Sequence, residues 1–166
     1  MIRKKKDYSK PRKMYDKIRI GEENKLVEKY GLKNKREIWK AEFAITKIRR
    51  RAKNLITAER EKQEELLIKL NKQGFKVENI ADVLALNKEN WLKRRLQSII
   101  IARGYKPKDA RQLITHKHVA IDNKKVNVPG RIIKIDEEDK IKVLIVRKVL
   151  KPGESPIKPE EVQDGE

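Results

Sequence analysis

The sequence predicts an α+β chain: an N-terminal helical region with a basic extended arm, then a smaller unit in which short helices give way to short strands. Three observations predict it. Apolar residues recur at three- and four-residue steps from about residue 34 to residue 103; β-branched, strand-like segments replace that period after residue 117; and residues 1–20 show neither period.

Residues 1–20 hold nine basic side chains with Tyr8, Tyr15 and Pro11 among them. Such a stretch buries too little apolar area to fold by itself, so it reads as an arm that orders on a polyanion, its aromatics available for stacking. A solvated tail is the plainer alternative.

From Asn34 the pattern is helical. Asn34 followed by Glu37 fits a capping box, and Ile38, Ala41, Ile45, Ile48, Ala52 and Leu55 form one stripe. Lys47, Arg49, Arg50, Arg51 and Lys53 fall in the same turns, so a dense cationic flank accompanies the buried one; a phosphate backbone suits it, and Arg49, Arg50, Arg51 and Lys53 are the expected RNA contacts, a plain solvated face being the alternative. Thr57 is placed to cap a second helix through about Asn71, carrying Leu66, Leu67 and Leu70 and stopping near Gly74; a third, short helix carries Ile80, Val83 and Leu84. Core packing accounts for both.

Asn87 opens a fourth predicted helix with Leu92, Leu96, Ile99 and Ile100 on one side and Lys93, Arg94, Arg95 and Arg103 around the rest, ending at Gly104. Pro107 starts another, over 108–116, that buries Ala110, Leu113 and Ile114 and leaves Lys108, Arg111, Gln112, Thr115 and Lys117 on other faces. Strands are expected over 118–121, 124–128 and 141–146. Asp122-Asn123 makes a two-residue turn suited to positive φ, and turns are expected at Pro129-Gly130 and over 136–139.

Charge is segregated along these elements. The chain of 166 residues carries 44 Lys+Arg against 25 Asp+Glu, net +19. Residues 1–60 hold 21 basic and 8 acidic side chains, residues 61–87 hold 4 and 5, residues 88–151 hold 18 and 7, and residues 152–166 hold 1 and 5. Two basic regions around a neutral spacer imply strong self-repulsion unless a polyanion neutralises them, and nucleic acid is the natural one. With no cysteine and two histidines lying two residues apart, disulfides, thiolate catalysis and a metal site are not expected. No apolar run approaches a membrane span or a signal-peptide core, so an intracellular protein without a membrane partner is expected.

The run RRLQSIIIARGYKPKDARQLITHKHVAIDNKKVNVPG resembles the S-four RNA-binding domain, through Arg95-Leu96, Gly104, the string 110–114, His118-Val119, the hairpin and Pro129. The resemblance implies an αα-β module, a helix pair packed on a short twisted antiparallel sheet. It further implies an RNA-facing surface made of the second helix and the hairpin: Lys106, Lys108, Arg111, Gln112, Thr115, His116, Lys117, His118, Asn123, Lys124 and Lys125, bordered by Arg94 and Arg95. Lysine and arginine suit phosphates, while Gln112 and Asn123 can bond 2′-hydroxyls or base edges. A structural histidine at a helix end or strand start is the plain alternative for His116 and His118. The chain departs from the family pattern at Gln97, where aspartate is common, at Lys117, where glycine is common, and at Asp122-Asn123, where Asn-Gly is common.

The preceding segment, notably KYGLKNKREIWKAEFAITKIRR and NKENWLKRRLQSII, is similar to the archaeal-type small ribosomal subunit protein S-four family over roughly residues 11–150. That resemblance implies a non-enzymatic constituent of the small subunit, in the cytoplasm. It would bind small-subunit rRNA at a helix junction, nucleate assembly of the body, touch the neighbouring protein S-five and support translational accuracy, with no cofactor, no small-molecule substrate and no homo-oligomer. The expected division is 1–33 basic arm and lead-in, 34–90 helical domain, 91–150 S-four-type module, and 151–166 acidic disordered tail. A stand-alone RNA chaperone or ribosome-rescue factor using the same module is the rival reading, and a membrane-surface scaffold a more distant one. No nucleotide-binding glycine loop and no paired acid and base precede the module, which argues against an attached enzyme.

Overall fold

The computed structural model describes residues 6–144. The acidic tail, the end of the expected third strand at 145–146, and residues 1–5 of the arm lie outside the described residues.

The first element is one the sequence pattern did not reveal. Residues Lys17–Tyr30 form helix α1, N-capped by Asp16, whose carboxylate accepts from the Ile18 amide at 3.1 Å, and closed by Gly31 at φ 59°. The arm therefore ends at residue 16, and most of the expected lead-in is a packed helix: Leu26 and Tyr30 join Leu32, Ile38, Ala41 and Leu92 in one apolar cluster. Its long-range partners, not its own periodicity, make it a helix.

Helix α2 (Arg36–Leu55) follows, with Ile38, Ala41, Ile45 and Ala52 buried as the stripe predicts. Asn34 does cap it, through its side-chain oxygen to the Arg36 amide at 3.0 Å. Glu37 does not close the expected capping box; its carboxylate is drawn to two arginines instead. The next helix, α3 (Arg60–Lys72), starts three residues beyond Thr57, which lies in a turn. The Leu55 carbonyl left over at the end of α2 is met by Gln63, whose amide donates to it at 2.9 Å and to the loop carbonyl of Ala58 at 3.0 Å. Helix α4 (Ile80–Ala85) has a complete capping box, Asn79 with Asp82. A second apolar cluster joins α2, α3 and α4 through Ile45, Ala52, Leu66, Leu70 and Val83.

The fourth predicted helix is two. Helix α5 (Lys88–Lys93) stops, and α6 (Leu96–Ala102) begins after Arg95 takes extended angles, φ −75° and ψ 145°. The break has a physical cause: backbone at 94–97 pairs with the segment after Pro129. Leu96 N–H donates to Arg131 at 2.8 Å, Gln97 N–H to Pro129 at 3.2 Å, and Ile133 N–H to Arg94 at 3.0 Å. A continuous helix would spend those groups on itself.

Helix α7 (Pro107–Thr115) leads into strands β1 (Val119–Ile121), β2 (Lys124–Val126) and, after the short helix α8 (Ile135–Glu138) where a turn is expected, β3 (Ile141–Val143). The sheet is antiparallel in the order β2-β1-β3, with Val119 opposite both Val126 and Val143. Asp122 and Asn123 sit at φ 51° and 64°, the two left-handed residues a tight hairpin turn of this hand requires. Leu96, Ile99, Ile100, Ala110, Ile114, Val119, Ile121, Val126, Ile133 and Ile141 form the third apolar cluster.

Candidate nucleic-acid interface

Two cationic surfaces emerge from this architecture. On α2 the face opposite the buried stripe carries Arg36, Lys40, Lys47, Arg50 and Arg51, all exposed, with exposed Lys53 beside it. Helical spacing places them there, since residues three, four and seven apart share a side. Arg36 and Lys40 lie outside the set expected from sequence, yet their spacing to Lys47 and Arg51 is the signal that finds them.

Arg49 behaves differently. It lies at the edge of the buried stripe, and its guanidinium donates to the Leu86 carbonyl and to Asn87 Oδ1, the latter at 3.2 Å. It ties α2 to the α4–α5 link and is only half available to a ligand.

The second surface is the outer face of α7 with the hairpin. Lys108, Gln112, Thr115 and His116 lie on the side of α7 away from Ala110 and Ile114, and all four are exposed, as are Lys106, Lys117, Asn123, Lys124 and Lys125. Thr115 shares its hydroxyl proton between the Arg111 and Gln112 carbonyls, both at 3.1 Å. The His116 and half-buried His118 rings stack 6.2 Å apart, 18° from parallel. Between them Lys117 holds φ 62°, and its amide bonds Ile114 while that of His118 bonds Leu113 at 2.9 Å, a Schellman closure of α7. A glycine would take that left-handed conformation without strain; here an exposed lysine holds it and presents an ammonium.

Arg94, Arg95 and Arg111 face inward to a degree the sequence pattern hides. Arg94 spends every nitrogen: on the Gln73 carbonyl at 3.2 Å, on Glu138 at 2.8 Å and on the Ile133 carbonyl at 2.9 Å. Arg95, only 5% exposed, pairs with Glu37 Oε2. Arg111 pairs with Glu37 Oε1 at 3.1 Å and donates to Gln97 Oε1 at 3.3 Å. Arg94 and Arg95 thus spend donors on the fold itself, and Arg111 is half-buried beside Glu37.

Glu37 is the centre of this arrangement. Burial works to raise its carboxyl, but the hydrogen bonds and charges of Arg95 and Arg111 outweigh that and hold it below the usual carboxylate range. Gln97, fully buried, completes the joint by donating to the Gly31 carbonyl at 2.8 Å and the Pro107 carbonyl at 3.1 Å. An aspartate at 97 could not donate those two bonds. Gly31 has no room for a side chain, since a Cβ would meet Pro107 Cβ at 2.5 Å. One polar joint therefore ties α1 and α2 to α6 and α7, while the basic residues of α2 and α7 remain exposed.

Residues 94–141 match the S4 domain family. The chain is 44% identical over 147 residues to the small ribosomal subunit protein uS4 of Thermoplasma acidophilum, covering 82% of this chain and 74% of that one. It is 44% identical over 144 residues to the protein of the same name from Methanothermobacter thermautotrophicus, covering 82% and 84%. To that of Methanosphaera stadtmanae it is 40% identical over 172 residues, covering 95% and 91%. Similarity of that extent runs through the helical region as well as the S4 domain, and this chain belongs to the small ribosomal subunit protein uS4 family.

Proposed function

We propose that the protein is a structural constituent of the small ribosomal subunit that binds small-subunit rRNA directly at a helix junction, nucleating assembly of the body and supporting translational accuracy, with S-five as a neighbouring protein. It acts without catalysis, as a single copy, and in the cytoplasm. The helical region at 34–90 and the module at 91–150, an αα-β unit, serve as the two halves of a grip.

What carries the reading is the pair of cationic faces on α2 and α7, joined through Glu37, Gln97 and Gly31. Exposed lysines and arginines at helical spacing neutralise RNA backbones and release counterions, while a rigid joint between the two faces favours one relative placement of the strands they hold. Gln112, Asn123 and the histidines at 116 and 118 carry donors, acceptors and ring planes suited to 2′-hydroxyls and unpaired bases, which supports the reading. The names of the relatives support the ribosomal role, and nothing in them favours a stand-alone chaperone or rescue factor.

The test is binding of the full chain to a transcript of the small-subunit rRNA 5′ domain over a range of salt, beside an unrelated structured RNA of equal length. Preference for the 5′ domain is expected, with log affinity falling against log salt by roughly 0.7–0.9 per neutralised phosphate. Equal affinity for both RNAs would sink the junction reading.

A further inference from the structure

The two tyrosines of the N-terminal arm have opposite fates. Tyr8 is packed: its ring stacks on Trp39 with centroids 6.3 Å apart, and the Arg36 guanidinium lies 5.3 Å from its centre. Tyr15 is 90% exposed, with Ile18 at 78% and Met14 at 52% beside it. Single exposed apolar residues need no explanation, but three neighbours at one end of a helix do.

Their backbone is held in place. Arg19 donates to the carbonyls of Lys13 at 3.0 Å and Met14 at 2.9 Å, and pairs with Glu23 at 2.5 Å. Glu23 is 3% exposed and also accepts from the Trp39 indole at 3.1 Å. A chain of contacts from the core thus fixes the segment that displays Tyr15, and Asp16 caps the helix immediately after it. The surroundings are cationic: Lys10, Arg12, Lys13 and Lys17 are all exposed.

We infer that Tyr15, with Ile18 and Met14 flanking it, is a platform on which an unpaired RNA base stacks, a contact separate from the faces of α2 and α7. The flanking cations attract phosphate and argue for nucleic acid over an apolar protein partner, and a rigid ring loses little entropy on being covered. The inference rests on the rRNA-binding reading above.

The experiment compares wild type, Tyr15→Ala and Tyr15→Phe as full chains against the 5′-domain transcript at several salt concentrations. Tyr15→Ala should weaken binding roughly 5- to 150-fold, the span that about 1–3 kcal/mol per stacked base represents, with an unchanged salt slope because no phosphate contact is lost. Tyr15→Phe keeps the ring and should stay within about twofold. A Tyr15→Ala chain that binds as tightly as wild type overturns the platform while leaving rRNA binding intact. So does a Tyr15→Phe chain that loses as much as Tyr15→Ala, or a photo-crosslinker at position 15 that labels a neighbouring protein rather than rRNA in assembled subunits. If wild type itself shows no preference for the transcript, the broader reading fails and the platform falls with it.

Discussion

Two arginine clusters, Arg49 to Arg51 on α2 and Arg94-Arg95 between α5 and α6, look alike in sequence and differ in almost every physical respect. Arg50 and Arg51 project from the outward side of an uninterrupted helix and are exposed. Arg94 and Arg95 sit where the helix is broken, beside carbonyls and a carboxylate that absorb their donors. A guanidinium binds whichever acceptor the fold leaves within reach, so arginine density alone marks a region and not a role. Within the first cluster the same lesson divides Arg49, bonded to Leu86 and Asn87, from its two neighbours.

The sharpest way to break that contrast is Arg95→Ala. It strands the half-buried Glu37 against Arg111 alone, and removing one partner of a buried pair costs on the order of 3–5 kcal/mol. Urea unfolding should show a large fall in midpoint; a loss comparable with that of a surface arginine would mean the joint is not structural.

Glu37→Gln keeps the shape and removes the charge, and should cost about 1.5–3 kcal/mol at neutral pH, the value of hydrogen bonds to a charged group. Because the folded pKa of Glu37 lies below its unfolded value, its contribution is complete above the ordinary carboxylate range and is lost as pH falls through the folded value. The stability gap between wild type and Glu37→Gln should therefore close on acidification. A gap that persists at pH 2 would assign the effect to packing.

Lys117→Gly relieves a left-handed lysine and should raise stability by about 0.5–1 kcal/mol while removing a candidate RNA contact. Stability and affinity moving in opposite directions is the signature expected from thermal melts and binding run on the same variant.

The smallest stability effect belongs to Arg50→Ala with Arg51→Ala, which should stay within about 0.5 kcal/mol of wild type as ordinary surface changes do. Its consequence is in binding: the salt slope should fall by roughly 1.4–1.8 for two lost phosphate contacts. Adding Arg49→Ala should introduce a stability cost that the pair lacks, since its bonds to the α4–α5 link go with it. If all three arginines behaved alike in melting experiments, the division within the cluster would be wrong.

Helix α2, the hairpin turn and the burial of Ile99, Ile100 and Ile114 were legible because each depends on neighbours a few residues away: periodicity, a capping asparagine, two residues tolerant of positive φ. Helix α1 was not, since its stripe is weak and its partners lie far along the chain. The exposure of Lys108, Gln112 and Thr115 on α7 was legible for the same local reason, these residues lying opposite a buried stripe, whereas the hairpin candidates came from the family resemblance and not from any local period. Arg94, Arg95 and Arg49 were not, because their acceptors stand 21 to 58 positions away.

By itself, then, the sequence determined the polyanion-seeking charge, its division into two basic regions, and the faces of the regular helices. All three follow from composition and short-range spacing. Only the tertiary structure decided where the helix at Arg95 breaks, which arginines are consumed by Glu37 and buried carbonyls, and that Tyr8 is covered while Tyr15 is not. Those outcomes depend on which acceptors and apolar surfaces long-range packing brings within a few ångströms, and no local pattern encodes that.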